Sequence, residues 1–198
     1  MIKKEKYSAA ILVIGDEILS GRTQDTNSNF IAKEMEVIGI DTNQIRVIPD
    51  EKNIIIESVN ELRVKNDYLF TTGGIGPTHD DITADSIAEA FKVDLEVNLE
   101  AYETLKKYYE KIGSEFNDIR QRMARIPKGA TLIENSISAA PGFKIENVFV
   151  FAGIPKIMKA MLINSLKHLS KGKLIHSISV KIDAVEGDIA KVLESLND

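Results

Sequence analysis

Two apolar runs, each stopping against a polar loop, constrain this chain more than anything else in it. Residues 9–14 (Ala-Ala-Ile-Leu-Val-Ile) carry no polar side chain, and residues 68–70 (Tyr-Leu-Phe) repeat the pattern more briefly. A strand that is apolar on both faces must be covered on both faces, the condition of a central parallel strand between helices. Helical spacing follows each run. Ile31, Met35 and Ile38 recur at i, i+4, i+7 before Gly39, which suits a helix end. A strand over 42–48 then stops at Pro49-Asp50-Glu51, and Ile55, Val59 and Leu62 repeat the helical spacing. The third strand runs into a glycine-rich loop and a helix-like segment over 82–91. The first ninety residues therefore read β-α-β-α-β-α, which gives an α/β, mostly parallel, doubly wound sheet.

Beyond that point the reading is an extended piece over 95–97 and a helix over 99–112 with Tyr102, Leu105, Tyr109 and Ile112 on one face. A second helix over 116–126 is expected to turn Arg120, Arg122 and Arg125 to solvent. Extended runs follow at 130–133, 142–145 and 148–151, with Asn147 suited to a hairpin turn. Another Gly/Pro loop at 152–155 opens a helix over 156–169. Past Lys171-Gly172-Lys173, a strand over 174–182 and a helix over 188–196 read as a short C-terminal β-α appendage. This divides the chain into a domain over 1–170 and an extension over 171–198, read as an incomplete second subdomain.

Charge and composition narrow the classes of function. The 25 basic and 30 acidic residues give a net charge of −5, so nucleic acid is not the expected partner. The chain has no cysteine, which removes disulfides and thiolate metal sites. The apolar run after the charged N-terminus is too short to span a membrane or act as a signal peptide, so a cytoplasmic location and no membrane partner are expected.

In doubly wound sheets, ligands bind at the carboxyl ends of strands, and three polar loops lie there: those beginning at Gly15, Pro49 and Gly73. The last is Thr71-Thr72-Gly73-Gly74-Ile75-Gly76-Pro77-Thr78-His79-Asp80-Asp81. Glycines let a ligand approach backbone N–H groups closely, and a helix N-terminus behind them favours an anion such as phosphate. Carboxylates at Asp80 and Asp81 would repel a bare phosphate, which points to a divalent cation between the two. The same residues also make an ordinary strand-to-helix turn with Thr78 or Asp80 as N-cap. In the first loop, Asp16, Glu17, Asp25 and Asn27 are suited to ribose hydroxyls or a heterocycle edge, or to bonding their own loop.

These segments resemble a known family. Gly15-Asp16-Glu17-Ile18-Leu19-Ser20-Gly21, Asp25-Thr26-Asn27 and the loop from Thr71 to Thr83 look like the molybdopterin-binding-like domain of competence/damage-inducible protein A (CinA). The same domain heads eukaryotic FAD synthases. Arg125-Ile126-Pro127-Lys128-Gly129-Ala130, Ala140-Pro141-Gly142-Phe143 and Gly153-Ile154-Pro155 fit the pattern further along, with Ala152 where members usually carry proline. The resemblance spans residues 8–170. It implies a three-layer α/β fold and a homo-oligomer, a dimer or trimer. It also implies a hydrolase that uses Mg²⁺, Mn²⁺ or Co²⁺ to cleave a diphosphate such as ADP-ribose, or FAD as in the synthase relatives.

Carried over residue by residue, the resemblance makes Asp50 and Asp81 catalytic candidates and metal ligands; from the residues themselves, Asp80 is added as a metal ligand and His79 as a catalytic proton donor to the leaving phosphate or a plain polar loop residue. The substrate loops would be Gly15, Asp16, Glu17, Ser20, Gly21, Asp25 and Asn27, then Thr72, Gly73, Gly74, Gly76, Pro77 and Thr78, then Gly153 and Pro155. Nicotinamide-mononucleotide deamidation, the work of a further domain in long members, is not expected to carry over, and the extension over 171–198 stands where members continue into a small second domain. Two other functions fit the same cradle: molybdopterin binding or adenylyl transfer, and a non-catalytic nucleotide-binding regulatory module.

Overall fold

A computed structural model describes residues 6–173, 181 and 183–195. The chain runs β1 (Tyr7–Ile14), α1 (Asp16–Leu19), α2 (Asn27–Val37), β2 (Ile40–Ile48), α3 (Lys52–Lys65), β3 (Tyr68–Thr72) and α4 (Thr83–Ala90). An excursion follows: β4 (Leu95–Val97), α5 (Leu99–Lys111), α6 (Asp118–Gln121) and β5 (Arg125–Pro127). Then come β6 (Thr131–Ile133), β7 (Gly142–Ile145), β8 (Val148–Phe151), α7 (Pro155–Ser165) and α8 (Glu186–Glu194). The main sheet has the order β2-β1-β3-β8-β7-β6. Its first four strands are parallel, while β7 and β6 run antiparallel to their neighbours.

Alternation along β1 builds the layers. Ala10, Leu12 and Ile14 face one core with Ile55, Val59 and Leu62 of α3, Ile87 of α4 and Leu105 of α5. Ala9, Ile11 and Val13 face the other core with Ile31 and Met35 of α2 and Met158, Met161 and Leu162 of α7. Each of these six side chains is at most 3% exposed, so the apolar run is covered on both faces. Burying a side chain such as Leu12 contributes about 2 kcal/mol. Aromatic packing of Phe70 with Phe149 and Phe151, at centroid distances of 5.3 and 6.1 Å, joins β3 to β8 on the second face.

The helix expected over 116–126 is much shorter. Only Asp118–Gln121 is α-helical, a 3-10 turn covers Arg122–Ala124, and β5 begins at Arg125. Two forces end the helix. Pro127 drives the residue before it toward extended backbone, and Ile126, 3% exposed, enters the core opposite Glu96 of β4. The arginines are not a solvated face either. Arg125 donates both terminal nitrogens to Asp85 in the first turn of α4, at 3.0 and 3.3 Å, which docks the excursion onto that helix. Arg120 lies 4.5 Å above the Tyr109 ring.

The loop after β1 contains a short helix, α1, that the polar composition does not announce. The strand expected over 174–182 lies outside the described residues, apart from residue 181. The helix expected next is α8, ending within two residues of the expected place. Among the described residues, no helix is long and apolar enough to cross a membrane.

Candidate functional site

The carboxyl ends of the four parallel strands open onto one cavity of about 630 Å³. Glu17 from the loop after β1, Asp50 after β2, residues 73–77 with Asp80 and Asp81 after β3, and Gly153 with Pro155 after β8 all border it. The three loops picked out by sequence therefore meet, joined by a fourth from β8.

The glycine loop owes its shape to positive φ angles, 106° at Gly73 and 65° at Gly74. A Cβ on Gly73 would sit 2.0 Å from the Ile14 carbonyl, and one on Gly74 would sit 2.2 Å from Thr83 Oγ1. Only glycine lets β1, β3 and α4 close this tightly. The loop is tied down at its first carbonyls: Thr83 Oγ1 donates to Gly73 O and Thr83 N to Gly74 O. The Gly73 N–H is already bound to Phe151 O at 3.1 Å. Among the described residues, the N–H groups of Gly74, Ile75 and Gly76 have no such partner. Three consecutive free amides on a cavity wall make a cradle for an anion.

Asp81 shapes the loop from the other side. Its Oδ2 accepts from Thr78 N at 2.8 Å and from Thr78 Oγ1 at 2.6 Å. A Cβ on Gly76 would meet that oxygen at 2.6 Å, so the carboxylate lies directly over the glycine. Neither Thr78 nor Asp80 caps α4; its cap position is Ile82, with no side-chain bond.

Asp50 faces this loop from β2. Its Oδ2 accepts the Asp16 N–H at 2.9 Å. Burial pushes the Asp50 carboxyl above the usual aspartate range; the Asp16 N–H opposes this, and the nearby charges of Asp16, Glu17 and Asp80 add to it. Asp80 itself is held below its usual range, chiefly by the Thr78 hydroxyl. Four carboxylates thus share one electrostatic neighbourhood. Even so, among the described residues no three His, Asp or Glu side chains come together as a ready-made metal cage.

The remaining candidates serve the walls. Asp25 Oδ1 accepts the N–H groups of Asn27 and Ser28 at 2.9 and 3.1 Å, fixing the start of α2. Asn27 donates to Thr72 Oγ1 at 3.2 Å and to Gly153 O at 2.7 Å, binding three loops together from below. Gly15, Asp16, Ser20 and Gly21 shape the turn around α1 and do not border the cavity. His79 is outside it too, with 96% of its side chain exposed and Asp80 at 3.8 Å.

Sequence reasoning missed the apolar half of the cavity. Tyr109 and Met123 reach it from the excursion, and Ile154, Ile157 and Met161 from the start of α7. The periodicity placed Tyr109 on the packed face of its helix, but no local signal says that this face continues over a cavity built by other loops.

The description "Probable molybdopterin binding domain" matches residues 10–171 of this chain. Among solved structures, the protein CinA "with unknown function" from Thermoplasma acidophilum aligns with a TM-score of 0.76 and 30% identity, over 83% of this chain and 99% of that one. The tungsten cofactor synthesizing protein MoaB from Pyrococcus furiosus aligns with a TM-score of 0.54 over 98% of this chain and 99% of its own; at 19% identity it shows the shared fold alone. A relative from Archaeoglobus fulgidus is 36% identical over 187 residues, covering 94% of this chain and 78% of its own length.

Proposed function

The chain belongs to the probable molybdopterin binding domain family, and on that premise we propose that its cavity binds a nucleotide or pterin carrying a diphosphate and hydrolyses that diphosphate. One observation carries the reading: the free amides of residues 74–76 and the carboxylates of Glu17, Asp50, Asp80 and Asp81 border a single cavity. Amides without carboxylates would suit simple anion binding. Carboxylates in the same space make sense when a cation accompanies the anion.

The donor set fits such a cation. All four side chains offer hard oxygen ligands, and the repulsion that Asp16, Glu17 and Asp80 exert on Asp50 would be relieved by positive charge. Since no three of them form a cage, a divalent ion arriving with the substrate would be held by Asp50 and Asp80 together with diphosphate oxygens. When bound, it supplies charge neutralisation and Lewis acidity at phosphorus. The chain's own residues do the rest. The amides of residues 74–76 hold the phosphate, and the Asp81–Thr78 contacts keep those amides in place. Glu17, whose carboxylate has no hydrogen-bond partner among the described residues, holds the attacking water and takes its proton. The water oxygen bonds to phosphorus, the bridging P–O bond breaks, and the leaving phosphate departs with the bridging oxygen.

The test is to incubate the protein with ADP-ribose, FAD and related dinucleotides in Mg²⁺, Mn²⁺ or Co²⁺ and to measure AMP release. Metal-dependent AMP that disappears in folded Asp50→Ala and Asp80→Ala proteins is expected. Undiminished hydrolysis in both variants would sink the proposal.

A second reading is favoured by the apolar half of the cavity, which suits a flat heterocycle. On that reading the domain binds molybdopterin or transfers an adenylyl group to it. A fluorescent pterin retained through purification, with no AMP from any dinucleotide, would select it.

A further inference from the structure

We infer that Tyr109 is a specificity-determining residue, whose phenol hydroxyl bonds the heterocycle of the ligand while the glycine loop holds its phosphates. This deepens the function proposed above and rests on it. Tyr109 is half-buried in the cavity wall, yet it belongs to α5, an element outside the sheet that makes the rest of the site. Its ring is held on several sides. Phe116 stacks on it at 5.6 Å and 14°, Tyr108 meets it edge-on at 5.4 Å, and the Arg120 guanidinium lies 4.5 Å above it. Arg120 is fixed in turn: its side chain donates to Ser114 Oγ at 2.8 Å and to the Glu115 carbonyl, and its own N–H to Asn117 Oδ1 at 3.1 Å.

The ring is therefore immobilised, while its hydroxyl has no protein partner among the described residues and is not a buried atom, so it is open to solvent or to a ligand. Packing alone would be served equally by phenylalanine, so the hydroxyl is the part that packing does not account for. The cavity that Tyr109 lines also takes Met123 from the same excursion and Ile154, Ile157 and Met161 from around α7, with Asn135 and Ser138 as polar members of the wall. Such a pocket holds a flat ring by contact and orients it with few polar groups. A hydroxyl fixed in place loses little freedom on making that bond, the condition for a useful specificity contact. The excursion itself is locked to α4 by the Arg125–Asp85 pair, so the tyrosine is referenced to the same helix that anchors the glycine loop.

The experiment compares ADP with inorganic pyrophosphate as ligands of the wild-type protein and of Tyr109→Phe, by calorimetry in Mg²⁺. The phenylalanine keeps the ring contacts and removes only the hydroxyl. The expected result is ADP binding weakened about tenfold, the size of one lost hydrogen bond, with pyrophosphate binding and the thermal midpoint unchanged. Equal weakening of both ligands would make Tyr109 a merely structural part of the excursion, and no change in either would remove it from recognition; each overturns the inference. Wild-type protein that binds pyrophosphate but not ADP also overturns it while leaving the phosphate cradle standing. Binding of neither ligand would overturn the cradle itself.

Discussion

Asp50 and Asp16 are joined by a single hydrogen bond, the N–H of Asp16 donating to Asp50 Oδ2 at 2.9 Å. It closes the end of β1 onto the end of β2. It also holds a carboxylate where burial and the charges of Asp16, Glu17 and Asp80 all disfavour its ionised form. A carboxyl whose folded value is raised binds protons more readily in the folded chain than in the unfolded one. Stability from this group is therefore present at acid pH and is lost as pH rises through the raised value.

Asp50→Asn keeps the acceptor for Asp16 and removes the charge. At neutral pH, in chelator, its thermal midpoint should equal or exceed that of the wild type, and the difference should vanish in acid. Diphosphate hydrolysis should fall at least about a hundredfold in the same protein. A variant that is both less stable and fully active would contradict the assignment.

Gly73→Ala should be among the most damaging single changes in the chain. It places a Cβ at φ 106° and 2.0 Å from a β1 carbonyl, and a cost above about 2 kcal/mol is expected in denaturant unfolding. Gly21→Ala is the control: its φ is 72° and nothing lies within 4 Å, so only the conformational cost of about 1 kcal/mol should appear.

Asp81 is expected to act mainly by holding the loop. Asp81→Ala removes both bonds to Thr78 and should cost about 1 kcal/mol, while Thr78→Val keeps the N–H bond and should lose only the hydroxyl's share. If the loop is what binds phosphate, pyrophosphate affinity should fall in both variants, in the same order. Calorimetry on the two proteins checks this.

Asn27→Ala leaves the Gly153 carbonyl and the Thr72 hydroxyl without their shared donor in a site where Asn27 is 6% exposed. A loss of about 1–3 kcal/mol is expected by chemical denaturation.

The parts of this molecule that are written in short-range pattern could be read from sequence. Ile31 and Met35 are fully buried where the i, i+4 spacing put them, as are Ile55, Val59 and Leu62, and the covered strand at 9–14 fixes the layering. The glycine loop and its acidic neighbours were legible because backbone geometry demands those residue types. What could not be read depends on pairing across distance. Residues 125–127 leave the helical state because β4 offers them a partner. That Asn27 bonds Thr72 and Gly153 follows only from the fold that places them beside it, and in sequence Tyr109 reads as one more packed aromatic.

The pairing of β3 with β8 has a consequence for how the protein comes into being. Leu69 pairs with Val148, and the Gly73 N–H is held by Phe151, so β3 has one bare edge until a hairpin from much later in the chain arrives. During synthesis, β1, β2 and β3 can assemble early, leaving an apolar strand edge exposed in a half-built sheet. Contacts closed over such a span are slow to form. The glycine loop therefore cannot take its final shape on a nascent chain that has not yet delivered β8, because its first amide is locked by a strand made much later.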